Sequence, residues 1–432
     1  MNKMLIKISL SIVIFFFVIP LFAVNFNGFF FVDYYGDIEP TTSYDNLRNR
    51  YHFQPSLSGD LFDYTVKYNL SADLFYDPLG DPSLVSPDNF IKPENILKEA
   101  YLNIPMGDFD LSFGQKLVSP GMTDVFSPLN IVNGEYAYKL SLDDPYDSKR
   151  ADLMVQLQYY PNFDDSVQLV YVPFPRPDYE PTGLLNLVID ADVDIDVNFD
   201  ADPYLVNNAH SIYMVYDHMS SGFDFQLDYA YYIEQTPNFN LEELNNGASL
   251  TGTVSTLYTR NHTFGGAYST SFNGIALVEE LAVNITEDFA GTDIGIKNSD
   301  ITLNSQITWT LYGGIFAQLN VVYQYVINFN QSNLNYPMLI DEFNSYFNQP
   351  VEHVAFAIAH FHKSFLREKL YLAVNVAYLY PQVYIAPRVS YALSDEMKIE
   401  TGADIKTGQP SEYTLARGNL SDNYYLRLKY EF

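Results

Sequence analysis

The chain alternates apolar and polar residues over segments of about ten residues, the length with which a tilted strand crosses a membrane. The clearest is YTVKYNLSADLFY at 64–76, where apolar residues take every second position. A repeat of two residues is the period of a β-strand, whose successive side chains point to opposite faces. LRNRYHFQPSLS at 47–58 and FDFQLDYAYY at 223–232 follow the same pattern. These segments predict strands with one apolar face and one polar face.

The whole pattern predicts eighteen strands, with sixteen left open if one strand has been split wrongly. The predicted strands cover 26–36, 46–58, 62–76, 97–105, 109–117, 149–160, 166–175, 209–219, 223–235, 253–271, 274–287, 300–311, 314–330, 351–364, 369–380, 383–393, 397–407 and 421–432. No helical period interrupts this series, so the fold class is all-β.

The connections alternate in length. Short ones lie at 59–61, 106–108, 161–165, 220–222, 312–314, 366–369 and 394–396, whereas the others include 77–96, 118–148, 176–208, 236–252 and 331–350. Short periplasmic turns and long external loops are typical of outer-membrane barrels. The pattern therefore predicts a closed antiparallel transmembrane β-barrel. The short connection after Tyr380 is the one misfit, because it falls on the external side.

The N-terminus has the features of an export signal. Lys3 and Lys7 precede the apolar run LSIVIFFFVIPLFA, which ends at Ala23 in a small-residue cleavage pattern. We predict a signal peptide at 1–23 and the barrel at 24–432, with an uncleaved anchor as the alternative. No later segment has the roughly 20 consecutive apolar residues of a transmembrane helix.

The C-terminal segment NYYLRLKYEF alternates up to a terminal aromatic residue, Phe432. A last strand of this kind resembles the signal that the barrel-assembly machinery recognises. The expected partners are therefore that machinery, through Phe432, and outer-membrane lipid. The expected location is integral to the outer membrane of a Gram-negative-type bacterium.

Charge and composition narrow the partners further. The chain carries 23 Lys and Arg against 53 Asp and Glu, a net charge of −30, which disfavours nucleic acid and favours cations. It contains no cysteine, so disulfides, thiolate catalysis and cysteine zinc sites are excluded.

One stretch, LKEAYLNIPMGDFDLSFGQKLVSPGMTDVFSPLNIVN at 97–133, resembles porin-like outer-membrane proteins related to the alginate-export family. The resemblance rests on the strand EAYL at 99–102, a second strand and a loop motif. The second strand contributes Asp110, Leu111, Gly114 and Gln115, and the loop contributes Gly121, Asp124, Phe126, Pro128 and Asn130. The proline-rich strand exit in 167–181 is also similar. The resemblance implies an 18-stranded barrel, but few arginines are present here to pass an anionic polymer.

The loop at 118–148 is long and carries several prolines, and loops of this length are commonly functional. We expect 118–135 to fold inward and narrow the pore, with a floppy external loop as the alternative. The predicted constriction residues are Gly121, Asp124, Phe126, Pro128 and Asn130.

Strand parity gives a set of channel-lining residues on the polar faces. They are Arg48, Arg50, His52, Lys67, Asp73, Lys116, Arg150, Asp224, Asp228 and Glu234. Opposed acidic and basic clusters would create a transverse field across the lumen, and solvated wall residues without selectivity are the alternative. Glu279 and Glu280 are adjacent, so one of them must face outward unless a bulge intervenes.

The segment VIDADVDIDVNFDAD at 188–202 places aspartates at alternate positions within a predicted external loop. They are Asp190, Asp192, Asp194, Asp196, Asp200 and Asp202. The preferred interpretation is a solvated acidic rim, with an extended hairpin above the barrel as one possible shape. Carboxylates also suit Ca²⁺, but the spacing lacks the glycine turn of an EF-hand loop, so Ca²⁺ binding is the weaker alternative.

No nucleophile motif, HExxH or phosphate loop is present, so an enzyme is not expected. His360 and His362 share a strand face and could chelate a metal. The leading hypothesis is a porin-like channel for passive diffusion of small hydrophilic solutes, favouring cations. The alternatives are a substrate-specific channel for an organic or hydrophobic nutrient and a plugged barrel acting as an adhesin. A homotrimer is compatible with the sequence.

Overall fold

The computed structural model describes residues 24–38, 48–62, 65–76, 96–135, 148–176, 178, 193–198, 209–236, 238–246, 250–293, 295–329, 351–379, 382–407 and 422–432. The predicted signal peptide lies outside these residues, as do Asp190, Asp192, Asp200 and Asp202. Within the described ranges, no helix has the length and apolarity needed to cross a bilayer.

The described chain is built from β-strands. They are β1 Val24–Asp37, β2 Arg48–Leu61, β3 Val66–Ala72, β4 Leu74–Tyr76, β5 Leu97–Met106, β6 Phe109–Lys116, β7 Asp152–Tyr159, β8 Asp165–Val172, β9 Val193–Asn198, β10 Ser211–Met219, β11 Phe223–Ile233, β12 Asn238–Asn246, β13 Leu250–Leu257, β14 Arg260–Phe272, β15 Ile275–Thr286, β16 Asp300–Leu311, β17 Ile315–Val326, β18 His353–Phe365, β19 Leu370–Leu379, β20 Gln382–Ala392, β21 Met397–Thr407 and β22 Asn423–Glu431.

These strands form a closed antiparallel barrel of eighteen wall strands, which confirms the predicted fold class. Each wall strand pairs with the next along the chain, and β22 pairs with β1 to close the ring. β3 and β4 are one wall strand interrupted at Asp73, since both pair with β2. The remaining three strands, β9, β12 and β13, form a separate small sheet.

The two faces of the wall differ in polarity as the alternation predicts. Asp33 and His52 are buried on the inner face, whereas Phe30, Tyr51 and Leu428 are exposed on the outer face. The register places polar residues opposite polar ones and apolar residues opposite apolar ones: Asp33 lies opposite Arg427, and Val32 lies opposite Leu428. An apolar outer surface and a polar interior suit a barrel that is surrounded by hydrocarbon and filled with water.

Two predicted boundaries were wrong. The turn expected at 59–61 is part of β2, because Gly59 to Leu61 pair with β3, and the chain turns at 62–65 instead. The single strand expected over 253–271 is two strands, since the chain leaves the small sheet after Leu257 and enters the wall at Arg260. Both segments alternate in the same way, so the pattern contains no sign of the break.

The small sheet joins two external connections. β9, from the connection between β8 and β10, pairs in parallel with β13, which lies between β11 and β14. Asp194 and Asp196 of β9 stand opposite Thr251 and Thr253 in the backbone register. This segment is therefore outside the wall, as expected, and among the described residues its partner strand comes from another loop.

Glu279 and Glu280 occupy opposite faces of β15. The pairing of β15 with β14 and β16 continues through both residues without a register shift, so no bulge places them on the same side. Glu280 is fully buried on the inner face, and Glu279 accepts a hydrogen bond from the Ser305 hydroxyl on the outer face. The adjacent pair thus supplies one residue to the interior and one to the outer surface.

A glycine in the wall allows the backbones of β5 and β6 to lie close together. Gly114 of β6 has a φ of 137°, and a Cβ there would lie 2.2 Å from the Ala100 carbonyl oxygen. We predict that Gly114→Ala lowers the free energy of unfolding by about 1–3 kcal/mol through steric and backbone strain. Urea titration of the barrel refolded in lipid vesicles measures this change.

The matched control is Gly222→Ala. Gly222 lies in a short turn, and a Cβ there would have no neighbour within 4 Å. Equal unfolding midpoints for the two variants would contradict the role assigned to Gly114.

Candidate functional site

The connection that follows β6 folds into the barrel and reaches the far wall. Glu280 on β15 accepts hydrogen bonds from the Met122 and Thr123 amides, the latter at 2.7 Å, and from the Thr123 hydroxyl at 2.8 Å. β15 lies six wall strands away from β6 in the eighteen-strand ring. The segment 117–135, which we call the inner loop, therefore crosses the interior.

The tip of the inner loop is held by amide side chains of β16 and β17. Gln306 accepts a hydrogen bond from the Asp124 amide and donates one to its carboxylate, both at 2.9 Å. Gln318 donates to the same carboxylate at 3.2 Å. Asn304 donates to the Val125 carbonyl oxygen at 2.8 Å. The side chains that bind Asp124 are neutral amides, so these contacts fix the position of the carboxylate without pairing it with a cation.

The other predicted constriction residues shape the loop around this tip. The Gly121 amide donates to Asn130 at 2.8 Å, and a Cβ on Gly121 would overlap the Ser127 hydroxyl. Phe126 has a φ of 55°, which non-glycine residues seldom adopt, and its ring meets Phe356 of β18 edge to face at 5.2 Å. Pro128 lies in the turn that follows. A left-handed residue at the tip indicates that the surrounding contacts define its conformation.

The two ends of the inner loop pack against the inner face of the barrel. Val118 and Val132 join a buried apolar cluster with Met154, Tyr213 and other residues of β7, β8, β10 and β11. Leu129 packs against Ala267 and Ala282 on β14 and β15. Apolar residues on the inner face of β7–β15 are therefore covered by the loop, which explains why this sector departs from a fully polar interior.

A buried polar network fastens the base of the inner loop. Asp152 at the start of β7 accepts hydrogen bonds from the Arg176 amide at 2.9 Å and from Asn133 at 3.3 Å. Gln235 donates to the Val132 carbonyl oxygen at 3.0 Å. Three external connections meet here, so the loop base is linked to its neighbours as well as to the wall.

Asp178 extends this network above the barrel. Its carboxylate accepts hydrogen bonds from the Glu135 amide at 2.6 Å and the Thr236 hydroxyl at 2.5 Å. Burial raises the pKa of Asp178 above its usual range, while these two donors act in the opposite direction. A carboxylate with its donors in place stabilises the base of the loop.

The sector opposite the loop base carries a row of ion pairs. Asp33 on β1 accepts from Arg50 at 2.8 Å and from Arg427 at 2.6 Å. Arg427 also pairs with Glu400 at 3.2 Å, and Glu400 lies 3.8 Å from Arg388. The side chains of Arg50 and Arg427 remain 17% and 21% exposed. This row, from β20 to β2, is a polar wall with its charges largely paired.

The predicted lining residues between β2 and β6 lie on the inward-facing positions of the strands. His52 and Asp73 are buried and lie 2.5 Å apart, which makes them a structural pair in the wall. Lys67 is exposed, opposite Asp60 and Asn103 in the register. Lys116 donates to Gln156 at 2.5 Å. Arg48 lies in β2 opposite Tyr35, but its side chain lies outside the described part of the structure.

Acidic residues line the inner face of β10 and β11. Asp224 accepts from the Ser220 amide at 3.2 Å, and Asp228 accepts from Gln226 at 2.8 Å. Asp217 accepts from Ser166 at 3.2 Å. Among the ion pairs of the described residues, none involves these three carboxylates. The interior therefore combines a paired basic row on one side with unpaired carboxylates on the other.

Two predicted lining residues lie away from the bore. Arg150 precedes β7 and is buried at the base of the inner loop, where its backbone amide donates to the Gly134 carbonyl oxygen at 2.7 Å. Glu234 follows β11 and pairs with Lys297 at 2.6 Å, so it stabilises the rim. The alternation of the predicted strands placed both residues on inward faces, but neither belongs to a wall strand, since β7 begins at Asp152 and β11 ends at Ile233.

The sequence analysis missed several residues of this interior. Glu280, Asn304, Gln306 and Gln318 anchor the inner loop, and Asp33, Arg388, Glu400 and Arg427 form most of the ion-paired row. Their polar positions in alternating strands were the available signal. In the described part of the chain, no group of three or more His, Asp or Glu could hold a metal ion.

Comparison with known proteins shows the fold. No protein-family model and no curated protein sequence matches the chain. Among solved structures, it is similar to a BenF-like porin from Pseudomonas fluorescens Pf-5, with a TM-score of 0.55, 10% identity and coverage of 95% of this chain and 98% of the porin. It is also similar to OccK11 (OpdR) of Pseudomonas aeruginosa, with a TM-score of 0.51, 10% identity and coverage of 95% and 96%. A third similar structure is OccK9 (OpdG) of the same organism, with a TM-score of 0.52, 10% identity and coverage of 95% of this chain and 97% of OccK9. The chain has the barrel fold of outer-membrane porins.

The adjacent glutamates of β15 provide a matched test of the loop anchor. We predict that Glu280→Gln speeds hydrogen exchange of the inner-loop amides several-fold, because a neutral amide is a weaker acceptor for the Met122 and Thr123 amides. Glu279→Gln should leave this exchange unchanged. Mass spectrometry of peptides covering 117–135 reads both effects, and equal exchange in the two variants would remove Glu280 as the anchor.

Proposed function

We propose that the protein is an outer-membrane channel for passive diffusion of small hydrophilic solutes, in which 118–135 is the constriction. The observation that carries this proposal is the inner loop, which crosses a polar interior and is hydrogen-bonded to the far wall through Glu280. The loop occupies the sector from β7 to β18, whereas Arg427 and Lys429 on β22 keep 21% and 25% of their side chains exposed. A narrowed water-filled passage beside the loop fits this arrangement.

The passage would run between unlike walls. Asp124 on the loop tip and Asp224 on β11 contribute negative charge, while Arg50 and Arg427 lie on the other side of the ring. Opposed charges across a narrow lumen produce a transverse field that orients dipolar solutes and contributes to ion selectivity. Orientation of a polar solute lowers the free-energy barrier to its passage through the constriction.

We further propose that the channel favours cations. Arg50, Arg388 and Arg427 each lie within ion-pair distance of Asp33 or Glu400, which offsets their charge. The carboxylates of Asp124, Asp217 and Asp224 have hydrogen-bond donors but no ion pair among the described residues. The chain as a whole carries −30, which adds attraction for cations at the mouth.

Export and insertion complete the proposal. A cleaved signal peptide at 1–23 would direct the chain out of the cytoplasm, and Phe432 would present it to the barrel-assembly machinery. Phe432 exchanges two backbone hydrogen bonds of 3.0 Å with Gly28 at the barrel seam. The residue proposed to start assembly is thus also part of the contact that closes the ring.

A substrate-specific channel is the second candidate, and an aromatic patch in the lumen favours it. Phe29 and Phe31 on the inner face of β1 lie parallel with centroids 5.7 Å apart. Arg427 lies 4.6 Å from the Phe31 ring, and Lys429 lies 4.6 Å from the Phe29 ring. Aromatic faces beside cationic groups suit an organic solute that has a ring and a negative charge. The motif resemblance at 97–133 supports a relation to alginate-export proteins without naming this solute.

Single-channel current is measured for residues 24–432 reconstituted in a planar bilayer under a salt gradient. We expect stepwise conductance with a reversal potential that indicates cation selectivity. Asp124→Asn combined with Asp224→Asn should move this potential toward zero, since two unpaired carboxylates leave the lumen. Asp165→Asn removes a carboxylate from the outer face of β8 and should leave the potential unchanged.

Two other outcomes would contradict parts of this proposal. A wild-type reversal potential on the anion side would overturn the cation preference and favour the second candidate. A folded barrel without conductance would overturn the channel itself and favour a plugged barrel with an adhesive role.

A further inference from the structure

Two histidines lie side by side on the inner wall, next to the residues of β17 that hold the tip of the inner loop. His360 and His362 occupy alternate positions of β18, so both project from the same face. His360 Nε2 lies 2.9 Å from His362 Nδ1, and both side chains are half-buried. Their register partners on β17, Gln318 and Phe316, belong to the inner face, which places the pair on the lumen.

The neighbouring residues set the chemistry of the pair. Asn375 Oδ1 lies 2.5 Å from His360 Nδ1, and a carbonyl oxygen can only accept, so His360 carries its proton on Nδ1. Nε2 of a neutral His360 therefore presents its lone pair to His362. A ligating histidine in metalloproteins is oriented in the same way, by donating its second ring N–H to an acceptor.

Two aromatic rings hold His362 in place. Phe316 stacks on it with centroids 4.5 Å apart, and Tyr371 lies 5.1 Å away. The rotation of the imidazole is restricted by these contacts, so the short distance between the two nitrogens is built into the wall. A preformed pair of donors loses little conformational freedom when it binds an ion.

We propose that His360 and His362 form an open binding site for one borderline transition-metal ion, with Cu²⁺ bound more tightly than Ni²⁺ or Zn²⁺. Metal–imidazole bonds of 2.0–2.1 Å separate two neighbouring ligand nitrogens by about 2.9 Å in the tetragonal geometry of Cu²⁺ and by about 3.3 Å in the tetrahedral geometry of Zn²⁺. The present 2.9 Å lies within this range, so binding needs a turn of the two rings toward the ion and a shift of at most a few tenths of an ångström. The metal takes the place of the proton shared between the rings: His362 loses its Nδ1 proton to solvent and takes up a proton on Nε2, so both ligands remain neutral imidazoles.

The ligand set defines the class of ion. Two neutral imidazoles suit Cu²⁺, Ni²⁺ and Zn²⁺ and do not suit Ca²⁺ or Mg²⁺, which prefer oxygen. Among the described residues, no third His, Asp or Glu completes a protein-only site. Water from the lumen fills the other positions, so the ion is exchangeable. Arg388 is close enough to affect His362 electrostatically, which limits the affinity.

The test uses the tag-free chain refolded in detergent and titrated with Cu²⁺, read by electron paramagnetic resonance. We expect one Cu²⁺ per barrel with nitrogen hyperfine structure. His360→Asn with His362→Asn should abolish this signal, and Asn375→Leu should weaken binding by about 10–100-fold, the usual cost of losing the partner of a ligating histidine. His218→Asn with His262→Asn removes two outward-facing histidines and should change nothing.

Two results would overturn the site. One is an unchanged signal in the His360 and His362 double variant, and the other is the absence of any nitrogen-ligated Cu²⁺ in the wild-type barrel. Heat-modifiable migration in gels shows that each variant is folded. The readout does not need conductance, so a positive signal from a barrel that passes no current would keep the metal site and reject only the proposed channel.

Discussion

The need to pair every backbone N–H and C=O group in hydrocarbon governs this structure. An open sheet edge in a bilayer leaves these groups without partners, so the sheet must close on itself. The pairing of β22 with β1 provides that closure, down to the mutual hydrogen bonds of Gly28 and Phe432. Once the ring is closed, the period of two divides the residues of every wall strand between lipid and lumen. The polar side chains of the interior therefore occupy alternate positions of strands whose other residues are apolar.

The inner loop shows how such an interior acquires a shape. A loop that enters a polar barrel must satisfy its own backbone groups, and here wall side chains do this. Glu280 accepts from the loop amides, and Asn304 donates to its carbonyl oxygens. The apolar contacts of Val118 and Val132 add hydrophobic stabilisation near the two ends of the loop, and those of Leu129 add it closer to the tip. The wall and the loop thus form one unit, and the shape of the interior depends on residues far apart in the chain.

Much of the fold could be predicted because its rules are local. Alternation located the wall strands, and the contrast between MGD at 106–108 and the long connection after Lys116 indicated the two ends of the barrel. The break between Leu257 and Arg260 was not predictable, since a strand of the small sheet alternates like a wall strand. The site was harder still. Parity placed His52 and Asp73 inside, but it could not show that they bind each other, nor that Arg150 is buried under a loop.

The absence of cysteine from the chain allows a direct test of the constriction. A single cysteine is introduced by Asp124→Cys, and single-channel current is recorded while a bulky, membrane-impermeant thiol reagent is added. If the loop tip lines the passage, the current falls in discrete steps as each channel is modified. The same treatment of an Asp165→Cys variant, on the outer face of β8, leaves the current unchanged. Complete modification at position 124 without loss of current would contradict the account.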